Sequence, residues 1–270
     1  MRAAWACRIS KTTAAEAERL ILDSMTRDPN PKNEVVEAVN KVFDAALDPR
    51  AFGFKPRFEA PKKWPEPNPE QIEAVVASTG GLADLWEHSP IRFEDADPHT
   101  EEIIDRLFPG NPLLCCGASN SNFATRSRED WRGSLSGLQL IVPSPMSALT
   151  GKTKTGRTSA HTLDNTGPRR FLVVEQDNGT ADDQAGVLLH LASKGPLVLA
   201  VHSGSKSIHG WFHHNGQPEE SLRSFMRHAV EIGADPATWT RSQFVRMPDG
   251  TRQTGARQAV YYFNPEVITR

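Results

Sequence analysis

The order of strand and helix patterns in the second half of the chain constrains the fold most strongly. Short runs rich in β-branched and aromatic residues predict four strands, at 171–177, 197–202, 207–214 and 258–263. Apolar residues at helical spacing predict two helices, at 182–194 and 218–233. The predicted order is therefore strand, helix, strand, strand, helix, strand.

This order matches the split β-α-β unit of the ferredoxin-like or RNA-recognition-motif (RRM-like) fold, in which four antiparallel strands carry both helices on one face. We expect an α+β core over about residues 169–265, with the opposite face of its sheet free for chemistry. The segment 111–168 is expected to add strands and loops, and 138–142 is its clearest strand.

The first part of the chain predicts a separate helical region. Apolar residues recur at helical spacing over 13–25 and 33–47, with a proline-containing break between them, which indicates a helical hairpin. The proline-rich stretch 61–69 cannot continue a helix and predicts a connector, after which helical pattern extends to about Leu107. We expect an N-terminal helical accessory region over 1–68 and a main domain over 69–270.

Composition limits the partners and the location. A net charge of -2 gives no global attraction to nucleic acid, so any such contact needs a local basic surface. The three cysteines lack metal-site spacing, and the adjacent Cys115 and Cys116 predict small buried residues. The chain begins without a signal-peptide pattern and has no long apolar segment, so we expect a cytoplasmic location and no membrane partner.

Two carboxylates end the first predicted strand. Because side chains alternate along a strand, Glu175 and Asp177 share one face, whereas Leu172 and Val174 point towards the helices. Paired carboxylates suit Mg²⁺ or Mn²⁺, and two such ions can activate an attacking hydroxyl and neutralise a triphosphate. An acid-x-acid pair by itself is more often a pair of solvated turn residues.

A second polar motif begins the third predicted strand. Ser207 and His209 share one face of that strand, and Lys206 lies in a Gly/Ser turn whose backbone N–H groups suit a phosphate. A hairpin with an incidental lysine and a hydrogen-bonded core histidine is the alternative interpretation of the same residues.

A third motif follows the second predicted helix. Asp235 is followed by Arg241 and Arg246, which bracket a short apolar run. The guanidinium fork matches polyphosphate oxygens and keeps its proton. Arg252 and Arg257 extend this positive charge, and a solvated basic loop is the alternative interpretation.

In their order and their placement on strands, these residues resemble the three motifs of the archaeo-eukaryotic primase superfamily. The matching residues are Glu175-x-Asp177, Ser207-x-His209, and Asp235 with Arg246. The resemblance implies a DNA primase and polymerase of a plasmid, phage or mobile element, with an RRM-like core. Such an enzyme is a nucleotidyltransferase that copies single-stranded DNA from nucleoside triphosphates, with a separately encoded helicase as a partner. The first motif departs from the commoner Asp-x-Asp or Asp-x-Glu, which lengthens one metal ligand by a methylene.

The resemblance also implies a role for each matching residue. The implied ligands of two Mg²⁺ or Mn²⁺ ions are Glu175, Asp177 and Asp235. The implied nucleotide-binding residues are Ser207, His209, Arg246, Lys206 and Arg241. His209 is expected to act in catalysis by positioning the phosphates and stabilising their charge, not by removing a proton.

Other classes of enzyme fit the sequence less well. A metal-dependent rolling-circle initiator needs a His-hydrophobic-His pair and a tyrosine on a helix, whereas Tyr261 and Tyr262 lie in a predicted strand. A phosphate-binding P-loop is excluded because the stretch that starts at Gly151 lacks the required preceding glycine. A metal-dependent phosphodiesterase shares the carboxylates but does not need the triphosphate clamp of Arg246.

A non-catalytic RRM-like module that binds nucleic acid is the alternative outside enzymes. Such a module presents aromatic side chains on its sheet face for base stacking. The predicted face carries Glu175, Asp177 and His209 instead. Carboxylates repel a phosphate backbone unless metal ions neutralise them, so the acidic face favours catalysis.

Overall fold

The chain divides into two compact units, Met1–Lys62 and Lys63–Arg270. A computed structural model describes residues 13–25, 33–43, 63–93, 96–214 and 216–268. The division lies slightly before the predicted boundary at 68, because Trp64 packs edge-on against Trp239 at 5.6 Å between ring centroids. The backbone amide of Asn68 also donates to the carbonyl of Glu231 at 2.7 Å.

The described residues of the smaller unit, 13–25 and 33–43, form two helices, α1 (Ala14–Ser24) and α2 (Glu34–Phe43). Both were predicted from their apolar spacing, and the structure confirms them; the predicted continuation over 44–47 lies outside the described residues. The helices pack on each other through buried side chains, which are Ala17, Val35 and Val39. This contact makes the pair a helical hairpin.

The larger unit combines helices with short strands. Its helices are α3 (Pro69–Ser78), α4 (Leu82–Glu87), α5 (Thr100–Leu107), α6 (Arg128–Trp131), α7 (Ala181–Ala192) and α8 (Glu219–Glu231). Its strands are β1 (Leu113–Ser119), β2 (Asn122–Ser127), β3 (Leu140–Ile141), β4 (Gly151–Lys152), β5 (Thr158–Ser159), β6 (Phe171–Gln176), β7 (Leu197–His202), β8 (Ile208–His213), β9 (Val245–Arg246) and β10 (Val260–Phe263).

The strands form two four-stranded antiparallel sheets and one hairpin. The first sheet has the order β2-β1-β3-β9, the second has the order β10-β7-β8-β6, and β4 pairs with β5. The predicted α+β class is confirmed. The second sheet with α7 and α8 contains every strand and helix predicted for the second half of the chain, in the predicted order.

The order of strands within the second sheet differs from the ferredoxin-like arrangement, in which the fourth strand pairs with the first. Here β10 pairs with β7, and β6 forms the opposite edge. The outer edge of β6 is already occupied by two other segments. Phe171 donates to the carbonyl of Pro143 at 3.2 Å, and Ala234 forms a bridge with Gln176. The fourth strand therefore joins the other side of the sheet.

Each face of the second sheet carries its own apolar core. Leu172 and Val174 pack against α7 and α8, as their alternation predicted. The opposite face, with Val173 and Trp211, packs against α5 and residues of the first sheet such as Ile141. The expectation that this face is free is therefore wrong for most of its length, and only its end at Glu175 opens into a cleft.

Cys115 and Cys116 are fully buried in β1, which confirms that they serve as small core residues. Burial raises the pKa of the Cys115 thiol to about 11, so the thiolate is disfavoured. Cys7 lies outside the described residues. In the part of the chain that the structure describes, no helix has the length and apolar character needed to cross a membrane.

Candidate active site

A cleft of about 650 Å³ opens where the two sheets meet, beside the end of β6. The second sheet contributes Glu175 and His209 to its wall, and the first sheet contributes Arg246. Its volume lies within the usual range of about 300–1,000 Å³ for small-molecule sites. Residues from all three predicted motifs therefore lie in or next to one cavity.

Strand register explains why motifs far apart in the sequence meet at this point. Glu175 of β6 lies opposite His209 of β8. On the other edge of β6, the amide of Asp235 donates to the carbonyl of Glu175 at 3.0 Å. The backbones of the three motifs therefore run side by side, with Glu175 in the middle.

The carboxylate of Glu175 accepts two interactions from the second motif. The hydroxyl of Ser207 donates to its Oε1 at 3.2 Å, and Nε2 of His209 lies 3.2 Å from the same oxygen. Burial would raise the pKa of the Glu175 carboxyl, but the hydrogen bond and charge of His209, together with Ser207 and Arg246, hold that pKa below its usual value. Glu175 is thus ionised at neutral pH.

His209 is almost completely buried, with 3% of its side chain exposed. Its Nδ1 atom is buried and has no hydrogen-bond partner among the described residues. A buried ring nitrogen without a partner is costly in a protein core and calls for a specific explanation, such as a catalytic role or a bound water. His209, which lines the cleft, therefore has one ring nitrogen paired with Glu175 and one buried ring nitrogen without a partner.

Two arginines form the positive part of the cleft wall. Burial lowers the pKa of the Arg246 guanidinium, and the nearby charge of Arg252 lowers it further, whereas Glu175 and Asp177 raise it. Within the described residues, neither Arg246 nor Arg252 has a carboxylate at ion-pair distance. Two adjacent guanidiniums in a cleft are suited to bind an anion with several oxygens.

Asp177 and Lys206 do not line the cleft, but they pair with each other close to Glu175 and Ser207 in the sequence. The ammonium of Lys206 is 3.5 Å from Oδ1 of Asp177, and their side chains are 68% and 38% exposed, respectively. An ion pair with this much solvent contributes little to stability. Both side chains can therefore exchange partners at low cost when an anion or a cation arrives.

Asp235 and Arg241 have structural partners outside the cleft lining. The carboxylate of Asp235 accepts from the amide of Ala237 at 2.8 Å and so caps the 3₁₀ turn Pro236–Trp239. The guanidinium of Arg241 donates to the carbonyls of Leu163 and Thr166 at 3.4 and 3.5 Å. Asp235 reaches the site through its backbone pairing, whereas Arg241 is directed away from it.

The three carboxylates of the motifs have the chemistry that a divalent cation prefers, but their side chains are not arranged around a common point. Oxygen donors on adjacent segments are what Mg²⁺ or Mn²⁺ prefers. Among the residues that the structure describes, no three His, Cys, Asp or Glu side chains already form a group that could hold a metal ion. Glu175, Asp177 and Asp235 each have a protein partner, so ligation requires these side chains to exchange those partners.

Sequence reasoning missed a polar rim contributed by the first sheet. The turn between β1 and β2 lines the cleft with Ser119, Asn120 and Ser121, and the segment before Arg246 adds Gln243. The usable signal was the run of small polar residues at 119–122 between two strands. Arg252, which the sequence indicated only as additional charge, also lines the cleft.

Comparisons of the chain with protein-family models, with curated proteins and with solved structures found no match. The functional assignment therefore depends on the motif order and on the residues that line the cleft.

Proposed function

We propose that this chain is a nucleotidyltransferase, a primase-polymerase of the archaeo-eukaryotic primase type with a variant RRM-like core. It would add nucleotides from nucleoside triphosphates to a chain directed by a single-stranded DNA template. One observation carries the proposal: Glu175, whose strand pairs with the backbone of Asp235, faces the same cleft as Arg246 and Arg252. A carboxylate that can hold a metal ion, opposite two guanidiniums that can hold phosphates, suits nucleotidyl transfer.

The cleft has the size and polarity of a nucleotide site. A volume of about 650 Å³ accommodates a ligand of nucleoside triphosphate size. Arg246 and Arg252 would bind the β- and γ-phosphates, while Ser119, Asn120 and Gln243 offer hydrogen bonds to the sugar and base. Lys206, which is exposed and does not line the cleft, would exchange Asp177 for a phosphate oxygen.

Divalent metal ions belong to the proposed chemistry. Two Mg²⁺ or Mn²⁺ ions held by Glu175, Asp177 and Asp235 would neutralise the triphosphate and favour deprotonation of the attacking hydroxyl. The residues of the chain would provide the remaining stabilisation. His209 would exchange Glu175 for a phosphate oxygen, and burial of its ring would strengthen this contact.

In the proposed reaction, the oxygen of a 3′-hydroxyl forms a bond to the α-phosphorus of the bound nucleotide. The bond from that phosphorus to the bridging oxygen of the β-phosphate breaks, and pyrophosphate leaves. The hydroxyl proton passes to solvent. Arg246 and Arg252 stabilise the charge that develops on the pyrophosphate, because guanidiniums remain protonated in a half-buried site.

The structure disfavours two of the alternatives. A binding module of the RRM type stacks bases on exposed aromatic residues, but Phe171 and Trp211 on this face are buried under the first sheet. A rolling-circle initiator needs a tyrosine nucleophile on a helix, and Tyr261 and Tyr262 lie in β10. A metal-dependent phosphodiesterase would use the same carboxylates and is distinguished by its products.

The test is incubation of the protein with a primed single-stranded DNA template, labelled nucleotides and Mg²⁺ or Mn²⁺. We expect products whose sequence follows the template, loss of synthesis in Asp177→Asn, and normal synthesis in the control Glu87→Gln, which changes an exposed carboxylate on α4. Shortened oligonucleotides would instead favour a phosphodiesterase. Equal synthesis by Asp177→Asn and wild-type protein would contradict the proposal.

A further inference from the structure

The β4–β5 region carries a concentrated positive charge that the proposed chemistry does not use. We call residues 149–163 the basic hairpin. Its three cations are Lys152, Lys154 and Arg157, all exposed, and the segment contains no carboxylate. Five threonines and one serine add hydroxyl groups. In a chain with a net charge of -2, this composition marks a local surface for an anionic partner.

The hairpin is held in one shape by its own hydrogen bonds. At the base, the side-chain amide of Asn165 donates to the carbonyls of Ala148 and Ala160 at 3.1 and 3.0 Å, which ties the two ends together. At the tip, the amide of Thr153 donates to the carbonyl of Arg157 at 2.9 Å. Its cations are therefore presented on an ordered scaffold, which lowers the entropy cost of binding.

The base of the hairpin is attached to the rim of the cleft. The ring of His161 lies 4.0 Å from Phe244 and 5.4 Å from Phe123, between centroids. Its Nε2 also lies 2.5 Å from the carbonyl of Ser242. Phe244 lines the cleft, and Phe123 follows the polar turn that includes Ser121, another lining residue. An elongated ligand on the hairpin would therefore reach the cleft.

Exposed apolar side chains accompany the charges. Leu149 and Leu163, at the two ends of the basic hairpin, are 57% and 47% exposed. Within the described part of the larger unit, they are the large apolar side chains with the greatest exposure. A single nucleic-acid strand offers phosphates to the cations and unstacked bases and sugars to the leucines, whereas a duplex hides its bases.

We infer that the basic hairpin binds the phosphate backbone of single-stranded nucleic acid and directs that strand to the cleft. The assignment of this strand as template or primer rests on the proposed function, whereas the binding itself does not. Arg241 gains a role in this arrangement, since its contacts with the carbonyls of Leu163 and Thr166 hold the hairpin against the third motif.

Binding of a labelled single-stranded oligonucleotide, measured by fluorescence anisotropy without nucleotides at several salt concentrations, tests the inference. The hairpin variant replaces Lys152, Lys154 and Arg157 with glutamine. The control variant makes the same replacement at three exposed cations outside the basic hairpin, which are Lys63, Arg106 and Lys194. We expect the hairpin variant to bind more weakly and to lower the slope of log Kd against log salt by about 2, since each phosphate contact on a single strand contributes about 0.7. The control should lose little affinity.

Equal weakening in both variants, or none in the hairpin variant, would overturn the inference. Tighter binding of a poly-glutamate peptide than of the oligonucleotide would also overturn it and assign the surface to an acidic protein. A photoreactive group attached through Thr155→Cys at the hairpin tip should cross-link to the oligonucleotide, without any change of charge. If the protein fails to synthesise nucleic acid but its binding of the oligonucleotide still depends on the hairpin, the proposed function is rejected and the inference about the hairpin stands.

Discussion

The amide of Asp235 donates to the carbonyl oxygen of Glu175 at 3.0 Å, which joins the first and third motifs directly. This bond continues the bridge between Ala234 and Gln176 and occupies the outer edge of β6. One pairing therefore explains two features: the carboxylates lie on neighbouring segments, and β10 is placed on the far side of the sheet.

The side chain of Asp235 has both a structural and a proposed catalytic role, and two substitutions separate them. Asp235→Asn keeps an oxygen that can accept from the amide of Ala237, so we expect normal stability with loss of synthesis. Asp235→Ala also removes the cap and should cost about 1 kcal/mol of unfolding free energy. Urea denaturation and primer extension on both variants check this. Normal synthesis in Asp235→Asn would count against a catalytic role.

Protein stability should depend on pH through Glu175. Its pKa in the folded protein lies below the usual 4.5, so the unfolded state binds more protons as the pH falls. The stabilisation is fully present above about pH 4.5 and is lost as the pH falls through the folded-state pKa. The unfolding free energy of wild-type protein minus that of Glu175→Gln should therefore be constant above that pH and decrease below it. A difference that increases on acidification would contradict this assignment.

Arg246 and Arg241 should differ in their effect on nucleotide binding. Arg246 lines the cleft, so Arg246→Gln removes the charged contact that we propose with the triphosphate and should raise the nucleotide KM by about tenfold to a hundredfold. Arg241 contacts the backbone at Leu163 and Thr166, so Arg241→Gln should leave that KM within about twofold. Steady-state kinetics with varied nucleotide concentration compare them. A reversed order would move the phosphate site towards Arg241.

Asp249 should stabilise the loop that carries Arg252. It is buried, has a left-handed φ of 55°, and pairs with Arg257, while its Oδ2 accepts from the amide of His99 at 2.6 Å. Asp249→Ala should cost about 3 kcal/mol, because it removes a buried carboxylate that pairs with a partly exposed arginine and places alanine at a left-handed position. Asp249→Asn tolerates that conformation and keeps one acceptor, so its cost should be smaller. Thermal unfolding of both variants checks this order.

The sequence predicted the elements of the second sheet well because their patterns are local. In β6, Leu172 and Val174 alternate with Glu175 in a way that fixes which face each side chain occupies. The helices α7 and α8 each repeat apolar residues at a helical period. These signals require no knowledge of which strands become neighbours.

The remaining features depend on contacts between distant segments. The pairing of Asp235 with Glu175 and the packing of α5 and the first sheet over Trp211 are contacts between distant segments, which periodicity does not encode. β1 was missed because it is buried on both faces around Cys115 and Cys116 and so shows no alternation. The resemblance of the motifs identified cleft residues such as His209, but it did not reveal that Arg241 is directed towards the basic hairpin.

The most direct test of nucleotidyl transfer at this cleft is the stoichiometry of pyrophosphate release on a primed template whose next base is known. Wild-type protein should release one pyrophosphate for each nucleotide incorporated, and only the complementary nucleotide should react. Glu175→Gln should release none, whereas Glu87→Gln should match wild-type protein. Incorporation that ignores the template base, or release that continues in Glu175→Gln, would contradict the account.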